Sequence, residues 1–330
     1  MRRPLAFILL VVALDAGIGL ALDGLYRRTL TGERGGLTNQ ALSKDADVLV
    51  LGSSRAQYHF MPSVLHRRLG VRAFNAGLKG HDFLYAALLY DLWQRAHRPA
   101  KAVLLQMDME SLLEREQETA ALEILAPYIG QSERVRDVLY AAGPFKRVEY
   151  LSKSYRYNGK LLSIAKNAFV SPDPTFDGFM RGAGIMDPAG ELGSARHGLL
   201  DVYAPKASEE VAVTLARQSW SALKLRQLDD LIAAAAQRGT RLFLVHSPLY
   251  GQSHAAHDIW TGRLRQLIAG KPGVELIDLC DVTTPVFARP ELYLNFNHLN
   301  GPGAEIFSGL LAEELEKRLG PRPISAADRR

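Results

Sequence analysis

The sequence has only one cysteine, Cys280, so no disulfide bond can form within the chain and the fold must rest on its core. Cys280 follows a strand-like apolar segment, and we expect a buried, inert thiol there. No group of cysteines and histidines has the spacing of a metal site. His254 and His257 would share one face of a helix, but no third ligand accompanies them. The sequence therefore predicts no metal ion.

The chain also lacks a concentrated basic surface. Its formal net charge is +5, but Lys and Arg are scattered and no basic stripe alternates with aromatic residues. Nucleic-acid binding is therefore not indicated. No glycine-rich loop of the nucleotide-binding type is present, and we expect no cofactor. The positive charge suits a protein close to anionic lipids or polymers, and it would equally serve solubility.

A long apolar segment stands at the N-terminus. Apolar residues run from Pro4 to Leu14 and continue past Asp15 to Leu22, which approaches the ~20 residues needed to cross a bilayer. Asp15 is an unfavourable interruption worth a few kcal/mol. A signal peptide and an uncleaved anchor both fit. Because the cleavage site is poor, we expect residues 1–25 to anchor the protein in the inner membrane by one helix, with the rest outside the cytoplasm.

The pattern of the remaining chain predicts an α/β protein. After a glycine-containing linker at 26–45, predicted strands and helices alternate over 46–330, which favours a doubly wound parallel sheet with its site at the carboxyl ends of the strands. A hydrophobic content of 47% can supply the core. The predicted strands are 47–51, 72–76, 101–106, 241–246 and 273–279, and the predicted helices lie near 62–69, 82–97, 208–238, 258–270 and 302–319.

One region fits no strand-helix unit. Residues from about 110 to 207 contain several turn signals and three tyrosines, Tyr150, Tyr155 and Tyr157. We predict a partly helical cap over the cleft, inserted in the α/β domain. The tyrosines are expected to pack the cap onto the sheet. If they line the groove instead, they would stack against sugar rings.

Three short motifs follow one another along the α/β region. A serine hydroxyl reacts only when a nearby base accepts its proton, and a histidine in the last motif is the natural candidate for that base. Each motif also has a local explanation, since Gly and Ser favour turns and since Asn300 and Pro302 suit a helix start. The motifs are Gly52-Ser53-Ser54, Asn75-Ala76-Gly77-Leu78-Lys79-Gly80 and His298-Leu299-Asn300-Gly301-Pro302-Gly303.

Taken together, these motifs resemble the SGNH/GDSL hydrolase superfamily. The resemblance is to its membrane-anchored envelope branch, which includes proteins similar to the D-alanyl-lipoteichoic-acid protein and alginate O-acetylation factors. It implies a flavodoxin-like sheet with Ser54 as nucleophile and His298 as base. It also implies an oxyanion hole made by the backbone N–H groups of Ser54 and Gly80. Asn75 belongs to the second motif, and we expect it to contact substrate.

His246, at the carboxyl end of a predicted strand, is expected to point into the cleft. A substrate contact and a loop histidine satisfied by its neighbours are both open for this residue.

The sequence departs from the family pattern in its third block. The family supplies an Asn side chain to the oxyanion hole there, but this chain has no Asn after the strand at 101–106. An anionic Asp108 would repel an oxyanion, so Gln106 is the only side-chain donor nearby. We therefore expect Gln106 to assist the backbone donors.

The second departure is Asn295, which stands where the family has the Asp that serves the catalytic histidine. An Asn oxygen can orient His298 but cannot offset the charge of an imidazolium, and this exchange costs about 10⁴ in turnover in serine proteases. Either Asp281 or Asp278 serves His298, or the reaction is slow, or the site binds without turnover.

The sequence favours an extracytoplasmic, membrane-anchored acyl esterase or O-acyltransferase. Its expected substrate is an acylated envelope polysaccharide or a small ester. The alternative is a non-catalytic accessory protein of an acyl-transfer or export complex, partnered with a multi-spanning membrane acyltransferase. A cytosolic esterase is a third hypothesis, which would require residues 1–25 to be dispensable for envelope localisation.

Overall fold

The computed structural model describes residues 2–32, 35–114, 121–188 and 209–320. The chain divides into two compact units. The first unit consists of Met1–Lys44, Leu88–His97 and Arg115–Phe176, and the second consists of Asp45–Ala87, Arg98–Glu114 and Asp177–Arg330.

The helices and strands are numbered in chain order. The helices are α1 Arg2–Arg28, α2 Gly36–Ser43, α3 Ser54–His59, α4 Pro62–Leu69, α5 Phe83–Ala96, α6 Glu133–Ala141, α7 Lys146–Glu149, α8 Leu161–Asn167, α9 Glu209–Arg217, α10 Ala222–Gln237, α11 His254–Ile268 and α12 Gly301–Leu319. The strands are β1 Val48–Leu51, β2 Ala73–Asn75, β3 Ala102–Met107, β4 Arg241–His246, β5 Val274–Asp278, β6 Tyr293–Asn295 and β7 His298–Leu299. Short 3₁₀ helices occupy Leu122–Tyr128, Tyr155–Tyr157, Pro285–Ala288 and Pro290–Leu292.

The second unit is built on a parallel five-stranded sheet with the order β2-β1-β3-β4-β5. This order is that of one type of doubly wound sheet. Every residue of β1 and β3 is buried, so both faces of the central strands are covered, as apolar strands of a parallel sheet require. On one face, Val50 and Val245 share a core cluster with Phe307 and Leu311 of α12. The mixed α/β class and the parallel sheet are confirmed.

The sheet strands lie within two residues of their predicted ends, but the long helix predicted over 208–238 is wrong. Two helices, α9 and α10, replace it. Between them Trp220 forms an isolated antiparallel bridge with Leu113, and Ser221 N–H donates to Leu112 O at 2.8 Å. This extended pairing interrupts the helix because a backbone N–H spent on another segment cannot bond within the helix.

Helix α1 is an apolar helix near the N-terminus. Its segment Arg3–Arg28 is long and apolar enough to span a membrane, or to act as a signal sequence. Large side chains along it are exposed, as expected for a helix that the protein itself does not cover.

The predicted linker at 26–45 contains the helix α2. The Asn39 side chain donates to the carbonyl oxygens of Tyr26, at 2.6 Å, and of Thr29, at 2.8 Å. Thr29 N–H also donates to Tyr26 O, so these bonds gather the last turn of α1 and the residue that follows it. The chain after α1 is therefore folded back against the helix end.

The predicted cap divides differently from the expectation. Its part Arg115–Phe176 belongs to the same unit as α1, whereas its part from Asp177 onwards belongs to the unit of the sheet. Tyr150 and Tyr157 are buried within the first unit, where Tyr157 contacts Tyr26 edge to face. These two tyrosines pack against their own unit. The predicted residues 189–207 lie outside the described part of the chain.

Candidate active site

The first motif forms a tight turn between β1 and α3. Gly52 has φ +143°, and a Cβ atom there would lie 2.8 Å from Gln106 Cβ, so only glycine fits. Ser53 caps α3 by accepting a hydrogen bond from Arg55 N–H at 3.2 Å, and its hydroxyl donates to Gln106 Oε1 at 2.8 Å. Ser53 is thus used in building the turn. Ser54, the next residue, presents a half-buried hydroxyl.

The last motif is positioned by a small hairpin of β6 and β7 followed by α12. Asn295 Oδ1 accepts hydrogen bonds from the N–H groups of Asn297 and His298, both at 3.0 Å. This turn within the hairpin fixes the course of the chain at His298. Asn300 caps α12 by accepting from Gly303 N–H at 3.1 Å, which is the local role predicted for it.

The two motifs meet although 244 residues separate them, because His298 Nε2 lies 2.8 Å from Ser54 Oγ. The other ring nitrogen, Nδ1, lies 2.9 Å from Asn295 Oδ1. Two backbone donors already identify that atom as the oxygen of the amide, so it accepts a third hydrogen bond, from Nδ1–H. The proton on Nδ1 leaves a lone pair on Nε2, which faces the Ser54 hydroxyl. This tautomer is the one that a general base requires.

Positive charge surrounds this imidazole. Burial lowers the pKa of His298 to about 4, and the charges of Arg55 and Lys79 act in the same direction. Among the described residues, no carboxylate forms an ion pair with His298. The ring is therefore neutral at pH 7 and able to accept a proton, but the imidazolium that would form is poorly stabilised.

Neither predicted alternative acid serves His298. Asp278 is bound to His246 and His257, at 3.3 Å and 2.8 Å. Asp281 accepts from Gln252 N–H at 3.0 Å, and burial raises the pKa of its carboxyl group. Asn295 is thus the partner of His298 in this structure.

A buried arginine outside the three motifs connects α3, the helix that begins at Ser54, to two strands. Arg55 Nη1 lies 3.3 Å from Asp108 Oδ2, and Nη2 donates to the carbonyl oxygen of Ser247 and to that of Pro248. Asp108 follows β3 and Ser247 follows β4. Arg55 therefore ties α3 to the carboxyl ends of both strands. Its position directly after Ser54 was visible in the sequence, but its partners were not.

His59 is a second missed residue. It is fully buried, with Nδ1 3.0 Å from Ser247 Oγ and Nε2 3.1 Å from Asn297 O. Burial, together with the charge of Arg55, holds its pKa well below the usual range. A neutral His59 thus bridges α3 to β4 and to the loop that carries His298.

The predicted contact of Asn75 with substrate gains no support, because this side chain is buried and bonded within the fold. It is 1% exposed, and its amide nitrogen donates to Ala56 O and Phe60 O, both at 2.7 Å, while its oxygen accepts from Gly77 N–H. These bonds use the amide fully, so Asn75 joins β2 to the end of α3.

The Gln106 side chain, predicted to donate to an oxyanion, is used in other hydrogen bonds. Its oxygen accepts from Ser53, and its nitrogen donates to Asp108 Oδ2 at 3.2 Å. The prediction that Gln106 donates to an oxyanion gains no support, since this amide is bonded to the turn between β1 and α3 and to Asp108. Asp108 is neutralised by Arg55, which removes part of the expected repulsion.

The backbone donors proposed for an oxyanion fit better. The N–H groups of Gly77, Leu78 and Lys79 are bonded to Asn75, Gly52 and Gln57, whereas that of Gly80 has no acceptor among the described residues. Gly80 is exposed with φ +76°. Ser54 begins α3, and the first N–H groups of a helix lack intrahelical acceptors.

His246 does not point into an open cleft. The side chain is fully buried, 4.6 Å from the Trp260 ring and within hydrogen-bond distance of Asp278. Two interpretations of His246 were open, a substrate contact and a histidine satisfied by its neighbours. The structure supports the second. The pairing was hidden because Asp278 lies 32 residues further along the chain.

A strap of residues from Asp177 to Met186 crosses the site region. Asp177 O accepts from Asn75 N–H at 2.8 Å, and Met180 N–H donates to Gln57 O at 2.9 Å. At its other end Met186 N–H donates to Tyr293 O. This part of the predicted cap therefore bonds both to α3 and to the hairpin of β6 and β7.

Comparison with known proteins does not extend this description. No protein-family model matches the chain, and no curated protein is significantly similar to it in sequence. The chemistry of the site must therefore be argued from its geometry. A half-buried hydroxyl that faces the free lone pair of a neutral imidazole is the arrangement of a nucleophile and its general base.

Proposed function

We propose that this protein is an extracytoplasmic, membrane-anchored serine acyl esterase or O-acyltransferase of the SGNH type. The observation that carries the proposal is the 2.8 Å contact between Ser54 Oγ and His298 Nε2 in the tautomer set by Asn295. The strand order and the position of Ser54 at the start of α3, three residues after the end of β1, are consistent with that superfamily. The apolar helix α1 supports the membrane assignment.

In the proposed reaction, His298 Nε2 takes the proton of Ser54 as Oγ attacks the carbonyl carbon of an ester. The N–H groups of Ser54 and Gly80 hold the negative charge that develops on the carbonyl oxygen. His298 then gives the proton to the leaving alcohol, and an acyl-Ser54 intermediate remains. Water or a sugar hydroxyl then attacks this intermediate while His298 Nε2 takes its proton. His298 passes that second proton to Ser54 Oγ as the acyl–oxygen bond breaks, which restores the site. An acylated envelope polysaccharide is the proposed substrate class.

The first experiment is covalent labelling of the full chain, purified in detergent, with a fluorophosphonate probe. We expect labelling in the wild type and none in Ser54→Ala, since a phosphonate bonds to the activated hydroxyl. His298→Ala should label at least about 10³ times more slowly, because the base is lost. Ser53→Ala is the matched control: it removes the neighbouring hydroxyl and the helix cap, and labelling at Ser54 should persist.

Two results would contradict the proposal. Folded wild-type protein could fail to label, or Ser53→Ala could abolish labelling while Ser54→Ala does not. Once labelling is established, products formed from an acetylated oligosaccharide with and without an acceptor sugar distinguish hydrolysis from transfer.

A second candidate function is a non-catalytic accessory protein that binds acylated polymer for a multi-spanning membrane acyltransferase. The observation that favours it is Asn295, which orients His298 without supplying a negative charge. A folded wild type that does not label but binds an acetylated oligosaccharide would support this function instead.

A further inference from the structure

A second group of reactive side chains lies at the carboxyl ends of β4 and β5. His246 ends β4, Asp278 ends β5, Cys280 follows two residues later, and His257 comes from α11. One ligating atom from each of these four residues lies within 4.8 Å of the others. Two imidazoles, a thiol and a carboxylate have thus converged from three elements. The mechanism proposed above uses none of them.

The chemistry of these donors suits zinc. Structural Zn²⁺ takes four ligands from Cys, His and Asp, and tetrahedral bonds of 2.0–2.3 Å place ligand atoms about 3.3–3.6 Å apart. Since the atoms already lie within 4.8 Å of one another, each needs to move by about 1 Å or less. A thiolate among imidazoles selects zinc over Mg²⁺ or Ca²⁺, which prefer oxygen ligands alone.

The surroundings of both imidazoles provide a further argument. Metal-binding histidines almost always use the other ring nitrogen for an outer hydrogen bond. His257 Nε2 faces Asp278, and its Nδ1 lies 3.0 Å from the exposed carboxylate of Asp258. His246 Nδ1 faces Asp278, and its Nε2 lies 3.4 Å from the Gln252 amide.

The Gln252 amide also has an oxygen with no partner among the described residues. A 180° rotation of the amide lets that oxygen accept from His246 Nε2–H, so both imidazoles have an outer partner.

The charges of the group fit a divalent cation as well. With neutral imidazoles, a Cys280 thiolate and the Asp278 carboxylate together balance the two charges of Zn²⁺.

We propose that His246, His257, Asp278 and Cys280 form a structural zinc site that joins α11 to the ends of β4 and β5. Binding displaces the thiol proton and the protons that the histidines share with Asp278, and these protons pass to solvent. Because all four positions of the tetrahedron come from the protein, the site has no open position for a substrate.

The test uses the full chain in detergent after treatment with EDTA, titrated with Zn²⁺ by calorimetry. One equivalent should bind. His254→Gln is the matched control, because His254 is exposed on the same helix; it should bind as the wild type does. Asp258→Asn should weaken binding about 10-fold, as the loss of an outer partner does. Cys280→Ser and His257→Gln should weaken it further.

Cobalt provides a measurement on the unmodified protein, in case the variants fold poorly. Co²⁺ in this site should show a thiolate-to-metal charge-transfer band and the strong visible bands of tetrahedral cobalt. Substoichiometric Zn²⁺ binding, affinity unchanged in Cys280→Ser, or octahedral Co²⁺ without a charge-transfer band would each overturn the proposal.

An independent observation concerns the first unit, where a chain segment packs along α1. Asp15 of α1 accepts hydrogen bonds from the hydroxyl groups of Ser152 and Ser154 and from Lys153 N–H at 2.7 Å. Tyr157 OH donates to Asp23 at 2.8 Å. The turn at 152–154 thus satisfies a carboxylate in the middle of the apolar helix.

The position of this turn has a consequence for the membrane. Asp15 is eight residues before Asp23, which is about 12 Å along the helix axis. If the bilayer began only at Asp15, the helix before it would cover about 18 Å, too little for a hydrocarbon core of ~30 Å. If α1 spans the membrane, the turn at 152–154 therefore lies inside the bilayer.

The segment 143–170 has the composition of a protein surface that binds membranes. It contains six basic residues and one acidic residue, hence a net charge of +5. It also exposes large apolar side chains, among them Phe145 at 71%, Leu151 at 73% and Phe169 at 79%. Apolar groups that insert between lipids, surrounded by cations, are typical of interfacial segments that bind anionic bilayers.

We infer that residues 143–170 insert into the same anionic bilayer leaflet as the C-terminal half of α1. This inference rests on α1 being in a membrane, as the proposed function assumes. The carboxylate of Asp15, costly in lipid by itself, is tolerated because the inserted turn supplies its hydrogen bonds.

The test reconstitutes the full chain in phosphatidylcholine–phosphatidylglycerol vesicles with brominated acyl chains, which quench nearby tryptophan. Leu151→Trp and Phe169→Trp should be quenched well beyond the wild-type background. Val12→Trp marks α1 itself, and the exposed Glu313→Trp on α12 is the control outside the membrane. Quenching of Val12→Trp alone would overturn the inference and leave the anchor intact. If Val12→Trp, Leu151→Trp and Phe169→Trp all remain unquenched, both the inference and the membrane anchor are overturned.

Discussion

Two groups of histidines in one α/β unit have opposite electrostatic surroundings. His298 faces an amide oxygen and the charge of Arg55, and burial lowers its pKa to about 4. His257 is buried too, but hydrogen bonds to Asp278 and Cys280 outweigh the burial and raise its pKa to about 10. The carboxylate of Asp278 thus lies beside these histidines and not beside the proposed base. Burial alone does not decide how a histidine titrates; the neighbouring charges do.

The two groups of histidines also differ in what their imidazoles can do. A neutral imidazole with a free lone pair beside a hydroxyl can move a proton. Imidazoles gathered around a carboxylate and a thiol can hold a cation or stabilise the fold. The two sites therefore differ in the residue beside the imidazole. His298 has the amide of Asn295, whereas His246 and His257 have the carboxylate of Asp278.

The largest expected effect comes from giving His298 a carboxylate. In Asn295→Asp, the new side chain keeps the acceptor positions used by the turn and adds a charge that stabilises the imidazolium. Labelling by the fluorophosphonate probe should accelerate by about 10²–10⁴. Asn295→Ala is the control, and it should be slower than the wild type because the ring loses its orientation. Equal rates in Asn295→Asp and wild type would mean that the amide is not the limiting feature.

A smaller effect is expected when the carboxylate is removed from the other group. Asp278→Asn leaves buried histidines without their shared anion and should cost about 3 kcal/mol of unfolding free energy. Asp258→Asn removes an exposed partner of the same His257 and should cost less than about 1 kcal/mol. Urea unfolding with EDTA present measures both. Similar losses in the two variants would show that burial does not distinguish the carboxylates.

The smallest effect is a shift in pH dependence. Labelling needs neutral His298, so the wild-type rate should be level above about pH 5 and fall by half near pH 4, the lowered pKa. In Asn295→Asp the midpoint should move upwards, since a carboxylate favours the protonated ring. Rates measured between pH 3.5 and 8 on folded protein check this. A wild-type midpoint near the ordinary value of 6.5 would contradict the assigned surroundings of His298.

Much of the α/β unit was predictable because its signals are local. Buried strands appear as short apolar runs, and Gly52, Asn300 and Pro302 mark turns and a helix start by backbone geometry. The break between α9 and α10 was not predictable, because it depends on pairing between Trp220 and the distant Leu113.

The site was predictable only in part for the same reason. The motifs indicated Ser54, His298 and Asn295, and the structure brings these three side chains together. The substrate contacts suggested for Asn75 and His246 gain no support, because the hydrogen bonds of both side chains are made inside the fold. The predicted absence of a metal site relied on spacing along the chain, which does not show that β4, β5 and α11 converge.

The sequence by itself determined the positions of the five sheet strands along the chain, the apolar N-terminal segment and the turn that presents Ser54. These follow from hydrophobic pattern and backbone preference, which act between near neighbours. Only the tertiary structure decided which groups share protons: Arg55 with Ser247 across 192 residues, and His257 with Asp278. Hydrogen bonds and charges act through space over a few ångströms, so their partners are set by the fold and not by position in the chain.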